Sequence, residues 1–428
     1  MSRVPVLVLG VTALALLLAS GSPGPAAAVN DDTITVDLPA SDVIYDPVSG
    51  KLFASVLAAG GDAANSITVI DPHTGEVGPS VFIGSAPGSL ALSGDGQYIY
   101  ASLATIGAVR RFDIATLEAG PQFYLGNGNH GPYLVEDMEV VPGDPHAVAV
   151  ARMSSGVSPR HAGVAIYGDG VQRTDTTPGH TGSNTIVFSD DPSVLFGYNN
   201  ETTEYGLRTM TVGETGVTVD SNVEELIRGF RVKIEFAGGL LYATNGRVVD
   251  PVAQVIVGSY PADGSVVPDA AAGRVFFLDD DSIDAFDMDT FAPAGSISVP
   301  GPDGANLVRW GDDGFAYHTG DKVVIIRSSL VHGEAKPTAT PSPTPTRTPT
   351  RTPAPTRTPL PPPHLGDANC DGRVTSLDAS VVLQFSAYLV DHLPCPLNAD
   401  MTGNGYVNVL DAFFILAYVA GYILLPAG

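Results

Sequence analysis

A strand–turn–strand unit recurs along most of this chain, and it leaves few folds open. It reads VIYDPVSGKLFASV from Val43 and LALSGDGQYIYASL from Leu90. Looser copies begin at Met138 (MEVVPGDPHAVAVA), Ile186 (IVFSDDPSVLFGY), Ile234 (IEFAGGLLYATN), Val266 (VVPDAAAGRVFFLD) and Leu307 (LVRWGDDGFAYHTG). Each has an apolar strand, a turn rich in Gly, Asp or Pro, and a second strand carrying Tyr, Phe or Leu. β-Branched and aromatic runs broken by such turns, with no sustained 3.6-residue period, specify an all-β segment from Asp31 to Ser329.

Third and fourth strands fit the same unit. ITVIDPHTGE from Ile67, AVRRFDIATLE from Ala108 and IDAFDMDTFAP from Ile283 each run into an acidic turn, and a strand such as VFIG from Val81 follows. Copies spaced roughly 40–50 residues apart match the period of a propeller blade, in which four short antiparallel strands leave only short edges. The last copy ends at KVVIIRSS from Lys322 without a fourth strand. The unclaimed strand TITVDL from Thr33 supplies it and closes the ring. The segment 29–332 is therefore expected to be a seven-bladed β-propeller. It resembles the secreted seven-bladed propellers related to surface-layer and lactonase-like repeat proteins, a resemblance that bears on fold rather than activity.

The two ends carry different signals. Arg3, the apolar run from Val4 to Leu18 and the small-residue site Ala26-Ala27-Ala28 have the anatomy of an export signal over 1–28, with the mature chain starting near Val29 and the protein secreted, in solution or at a cell surface. Pro5, Gly10 and the following Gly/Pro cluster weaken the alternative of an uncleaved membrane span, and none is expected after cleavage. Residues 333–365 are dominated by Pro and Thr. Between Lys336 and His364, proline at nearly every second position removes donors and fixes φ, so this stretch is an extended spacer of roughly 90 Å whose threonines are candidate glycan acceptors.

From Gly366 the pattern changes again. GDANCDGRVTSLD places Asp367, Asn369, Asp371, Arg373, Thr375 and Asp378 at positions one, three, five, seven, nine and twelve of a calcium loop, with Gly372 at the sharp turn. Arg373 offers only its carbonyl. A second loop uses Asp400, Thr402, Asn404, Tyr406, Asn408 and Asp411 in the same positions. Thr402 is a neutral hydroxyl where Asp or Asn is usual, so the second of the two calcium sites is expected to be weaker. Each loop runs into an apolar helix, from Ser376 and from Val409. Aspartate at position twelve, followed directly by such a helix, resembles the dockerin modules, which implies a small all-α calcium-binding domain over 366–428. The resemblance implies a cohesin-like partner, contacted through loop positions ten and eleven: Ser376, Leu377, Val409 and Leu410. Cys370 and Cys395, the only two cysteines, fall inside this module and suggest a local disulfide in an exported protein.

Chemistry is harder to locate in the propeller. Its histidines, among them His73, His130, His146, His161, His180 and His318, show no metal-ligand spacing. Gly126-Asn-Gly128-Asn-His-Gly131 has dinucleotide-loop glycines without the flanking strand and helix, and reads as a loop. Asp279, Asp280 and Asp281 read as a solvated turn. The net charge of -25, with no basic stripe, excludes a nucleic-acid footprint. The expectation is a binding or scaffolding protein whose propeller takes a polysaccharide or cell-surface ligand. The alternative is a hydrolase, lyase or lactonase-like enzyme of polysaccharide catabolism with its site in the propeller's central mouth.

Overall fold

The computed structural model describes residues 32–301, 306–332, 365–370, 372–386, 390, 393–402 and 407–419. The expected export signal and all but the last residue of the Pro/Thr-rich spacer lie outside them, as do Asp371, Asn404 and Tyr406. The chain divides into two compact units, 1–340 and 341–428.

All seven repeat copies form strand pairs. Four of them extend into separate four-stranded antiparallel meanders, starting at Ala40–Asp46, Pro87–Leu92, Ile234–Ala237 and Ser265–Asp269. Two more, starting at Leu134–Val140 and Thr185–Phe188, are joined into one eight-stranded sheet by a parallel bridge between Asp175 and Gly216. A side chain at Gly216 would overlap the Asp175 carbonyl, so only glycine allows this approach. The remaining sheet takes Val308–Trp310, Gly314–His318 and Val323–Arg327 from the end of the unit and Asp32–Val36 from its beginning. Thr33 pairs with Ile326 and Thr35 with Val324, so the N-terminal strand supplies the expected fourth strand of this sheet. The fourth strand of the first meander is longer than the sequence pattern marks, running from Val77 to Phe82.

Apolar residues fill the spaces between neighbouring sheets. Trp310, buried at the closure, packs with Val36, Leu38, Val43, Leu52 and Ile325. Phe276 meets Phe315 edge-on between the last two sheets, with centroids 4.9 Å apart. The acidic turns have a backbone role. Asp71 accepts from His73 and Thr74 amides, Asp250 from Val252 and Ala253, and Asp287 from Asp289 and Thr290. These Asx turns fold the third strand of a meander back into the fourth, so part of the acid excess sets hairpins.

In the second unit, α1 (Ser376–Ser386) and α3 (Val409–Val419) pack together, with the short α2 (Pro396–Ala399) between them in sequence. Ala379, Val382, Ala412 and Ile415 form its core with Ala368, Leu393 and Ala399. α2 was not evident in the sequence because it is a single turn begun by Pro396 at the first helical position. Cys370 and Cys395 are disulfide-bonded with Cα atoms 5.7 Å apart, tying the first loop to the start of α2. Among the described residues, no helix is long and apolar enough to cross a membrane.

Candidate functional site

The two loops of the second unit close in the same way. Asp378 is fully buried; its Oδ1 accepts from the Asn369 amide at 3.1 Å and its Oδ2 from the Thr375 amide at 2.8 Å. Asp411, equally buried, accepts from Thr402 at 2.9 Å and from Asn408 at 2.9 Å. In both loops the carboxylate at position twelve thus gathers the amides of positions three and nine. It also sits three residues into its helix and reaches back to the cap residue, as in a capping box. Thr375 completes the first box by accepting from Leu377 through its hydroxyl.

The other loop positions vary more. Asp367 is buried and accepts from the Gly372 amide at 2.9 Å. Asn369, Thr375, Asp400, Thr402 and Asn408 are half-buried, and Arg373 is exposed, as suits a residue that offers only its carbonyl. Thr402 has a specific placement: its hydroxyl lies 3.2 Å from Asp400 and 3.0 Å from Asp411. A third carboxylate there would crowd two acids, whereas a hydroxyl donates to either one. Ser376, Leu377 and Val409 are exposed; Leu410 lies in α3 with its side chain outside the described set. Among the described residues no three His, Cys, Asp or Glu side chains converge as a metal cluster. The oxygen-rich, partly buried donor set of each loop still suits a hard cation: Asp367, Asn369 and Asp378 in the first, Asp400, Thr402 and Asp411 in the second.

The first unit contributes a channel of about 500 Å³. The residue immediately before each quoted repeat lines it: Asp42, Ser89, Asp137, Thr185, Lys233, Ser265 and Asn306. All seven are polar, and several staple one sheet to the next. Asp42 accepts from the Leu90 amide at 2.8 Å, Asp137 from Ile186 at 2.9 Å, and Ser265 from Leu307 at 2.9 Å. Lys233 donates to Asn306 at 2.8 Å, and Asn306 approaches Asp42 at 3.4 Å.

Two residues further along the strands the wall is largely aliphatic, with Ile44, Val267 and Val308, and it is interrupted by Glu139 and Glu235. Neither receives a side-chain or backbone hydrogen bond among the described residues. Desolvation in the lumen, then the neighbouring Asp137 charge, pushes Glu235 up to about 7, opposed by Lys233. Glu139 is raised well above the usual carboxylate range by desolvation and by Asp137 and Glu235.

At one rim, Glu136 and Glu201 form a carboxylate pair. Asn184 Nδ2 lies 3.0 Å from both Glu136 oxygens and 3.3 Å from Glu201. Arg160 Nε donates to Glu136 at 2.6 Å, while its amide donates to Glu201 at 2.8 Å. Desolvation lifts Glu136 to about 7 against the pull of Arg160 and Asn184. Because both carboxylates are held by these donors, the quartet acts as a clamp between neighbouring loops. Sequence reasoning found none of these residues, since their separation exists only once the strands are arranged around the lumen. Asp279 and Asp280 line a neighbouring cavity with Arg231 and Lys233, while the Asp279 carboxylate accepts from the Asp280 amide within its own turn.

No protein-family model matches the chain. No curated protein is similar to it at a significant level. Solved structures are similar in fold. A hydrazine synthase structure from Kuenenia stuttgartiensis aligns with a TM-score of 0.53 at 14% identity, covering 72% of this chain and 100% of that one. The Cps50 (Swd1) β-propeller domain from Myceliophteria thermophila aligns with a TM-score of 0.54 at 12% identity, covering 69% of this chain and 99% of that one. Identities this low bear on fold alone: the larger unit is a β-propeller.

Proposed function

We propose that this is an exported binding or scaffolding protein: a seven-bladed propeller on an extended spacer, held in place by a calcium-loaded, dockerin-like module that docks onto a cohesin-type partner. The observation that carries this reading is the matched closure of the two loops, in which Asp378 and Asp411 gather the amides of positions three and nine. A cation held by these acids would fold each loop around its helix start and supply charge neutralisation there.

The exposed helix surfaces favour docking through α3. Val409, Phe413 and Leu416 lie one helical turn apart along α3 and are exposed. The matching positions of α1 are Ser376, Ser380 and Leu383, two of them polar. A partner with an apolar groove would therefore distinguish the two helices. The test is capture of the full chain on immobilised cohesin modules in calcium and in chelator, with Asp378→Ala/Asp411→Ala as control. Retention in calcium that is lost in chelator and in the double variant supports the reading. Calcium binding detected by calorimetry, with no retention on any cohesin, would reduce the module to a calcium-stabilised fold.

A second reading, an enzyme acting on polysaccharide, is favoured by Glu139 and Glu235, two raised carboxylates facing one lumen. Turnover of a polysaccharide panel that disappears in Glu235→Gln would establish it, and absence of turnover across the panel would remove it.

A further inference from the structure

A second cavity, of about 650 Å³, lies among loops of the sheet that begins at Leu134. Its walls bring together His130, His161 and His180, Tyr133 and Arg152. Every described lining residue is neutral or basic, within a chain of net charge -25. Arg152 is 6% exposed. Its Nε donates to the Gly163 carbonyl at 3.3 Å and its Nη1 to Gln172 at 3.1 Å, and its guanidinium carbon lies 4.9 Å from the Tyr133 ring centre. None of these partners is a carboxylate, and no described acid forms an ion pair with it. Buried guanidinium groups are ordinarily paired, because removing a charge from water is costly.

His161 repeats the pattern. It is 3% exposed, and neither ring nitrogen has a hydrogen-bond partner among the described residues. Burial, then Arg208 and Arg152, hold it down to about 3, so the ring is neutral. Two glycines make room for these groups. A side chain at Gly182 would overlap the His161 ring, and one at Gly163 would overlap the Thr177 carbonyl and touch the Arg152 guanidinium.

We propose that this cavity is a binding site for a hydroxyl-rich carboxylate of the hexuronate class, with its carboxylate on Arg152. A planar guanidinium with donors to spare recognises a carboxylate in a fixed geometry. The volume exceeds what a bare anion needs, and Asn129, Ser154, Thr176 and Thr177 offer amide and hydroxyl partners for sugar hydroxyls. This rests on the reading of the propeller as a binding protein and names the class of its expected polysaccharide ligand. It is separable from docking, because its residues all belong to the first unit.

The test is calorimetric titration of the full chain with galacturonate, galactose, acetate and sulfate, in calcium and again in chelator. Galacturonate should bind in both buffers, galactose at least about tenfold more weakly, since the site would leave Arg152 unpaired. Arg152→Gln should lower galacturonate affinity by at least about tenfold, with an unchanged far-ultraviolet spectrum. Equal binding of galactose, or unchanged affinity in Arg152→Gln, overturns the proposal. Acetate or sulfate binding as tightly as galacturonate overturns the sugar assignment. Should Arg152→Gln fail to fold, hydrogen exchange on the unmodified chain decides: galacturonate should protect segments 127–133 and 152–163, and protection confined to the channel strands overturns the site.

Discussion

Asp42 offers the sharpest test of what holds the channel together. Its Oδ2 accepts from the Leu90 amide at 2.8 Å, its Oδ1 accepts from Val43 at 2.9 Å, and Asn306 stands 3.4 Å away. Asp42→Ala deletes the acceptor and leaves the Leu90 amide unpaired where the strands approach. An orphaned buried donor costs about 1–3 kcal/mol. Desolvation already raises the Asp42 pKa, so removing the charge returns part of that cost, and a net loss of about 2 kcal/mol is expected. For a propeller of this size that lowers Tm by roughly 3 °C. Asp42→Asn separates the two contributions, because it keeps an oxygen for Leu90 and removes only the charge. Its expected cost is under about 1 kcal/mol. Scanning calorimetry of the full chain at about pH 8 reads both variants where carboxylate charge is fullest. If Asp42→Ala melted with the wild type, the staple would carry no stability. If Asp42→Asn fell as far as Asp42→Ala, attraction to Lys233 would outweigh the hydrogen bond.

Acidity should also act through the lumen as a whole. Glu136 and Glu235 lie near 7 in the fold, Glu139 higher, and Asp137 is raised as well. The folded state therefore holds protons that the unfolded chain releases above about pH 4.3, so the contribution of these groups to propeller stability is fully present below that point and is lost as pH rises through about 7. Tm should be higher at about pH 5 than at about pH 8, and Glu235→Gln should flatten the difference; a Tm that climbs over this window would contradict the desolvation argument. In the second unit, the disulfide spans a sequence separation of 25, for which the loop-entropy relation gives ~3.5 kcal/mol at room temperature. Cys370→Ser/Cys395→Ser should accelerate amide exchange in α1 and α3 while leaving the propeller strands unchanged, and unaltered exchange in α1 would show that the helix contacts suffice.

Much of the β architecture was legible because its determinants are local. Each unit declares its own turn, such as Asp46 capping the Val48 and Ser49 amides at the first hairpin, and its own alternating strands. Even the closing strand could be recognised, as Thr33 to Val36 had no other partner in sequence. The lumen was only half legible. The seven residues before the repeats are polar in every copy, a regularity visible in the sequence. Yet Asp, Ser, Thr, Lys and Asn share that register, so neither the charge nor the stapling could be read without knowing which copies become neighbours. The calcium loops were legible as residue types. What Thr402 does was not, because the hydroxyl gains its meaning from lying between Asp400 and Asp411, two and nine residues away in the chain. His130, His161 and His180 looked scattered for the same reason: a cavity wall has no sequence period.

The acid excess, read at first as one property, separates into groups with opposite physics. Turn acids such as Asp71 and Asp287 are held low, the first by Lys51 and the second by Thr290, and they stabilise hairpins at neutral pH. Lumen acids such as Glu139 and Glu235 are held high and oppose folding when charged. The acids of the C-terminal loops have a third possible partner, a bound cation. Against that background the acid-free wall around Arg152 is the anomaly. With 46 acidic residues against 21 basic ones, the chain had counter-ions in excess, and still one buried guanidinium faces a cavity without one. Half-buried arginines such as Arg110, Arg247 and Arg274 rest on backbone carbonyls, but Arg208, the other buried arginine among the described residues, is paired with Glu204. That contrast is why the missing charge at Arg152 points to a ligand, and why Arg152→Gln is the most informative single substitution in the propeller.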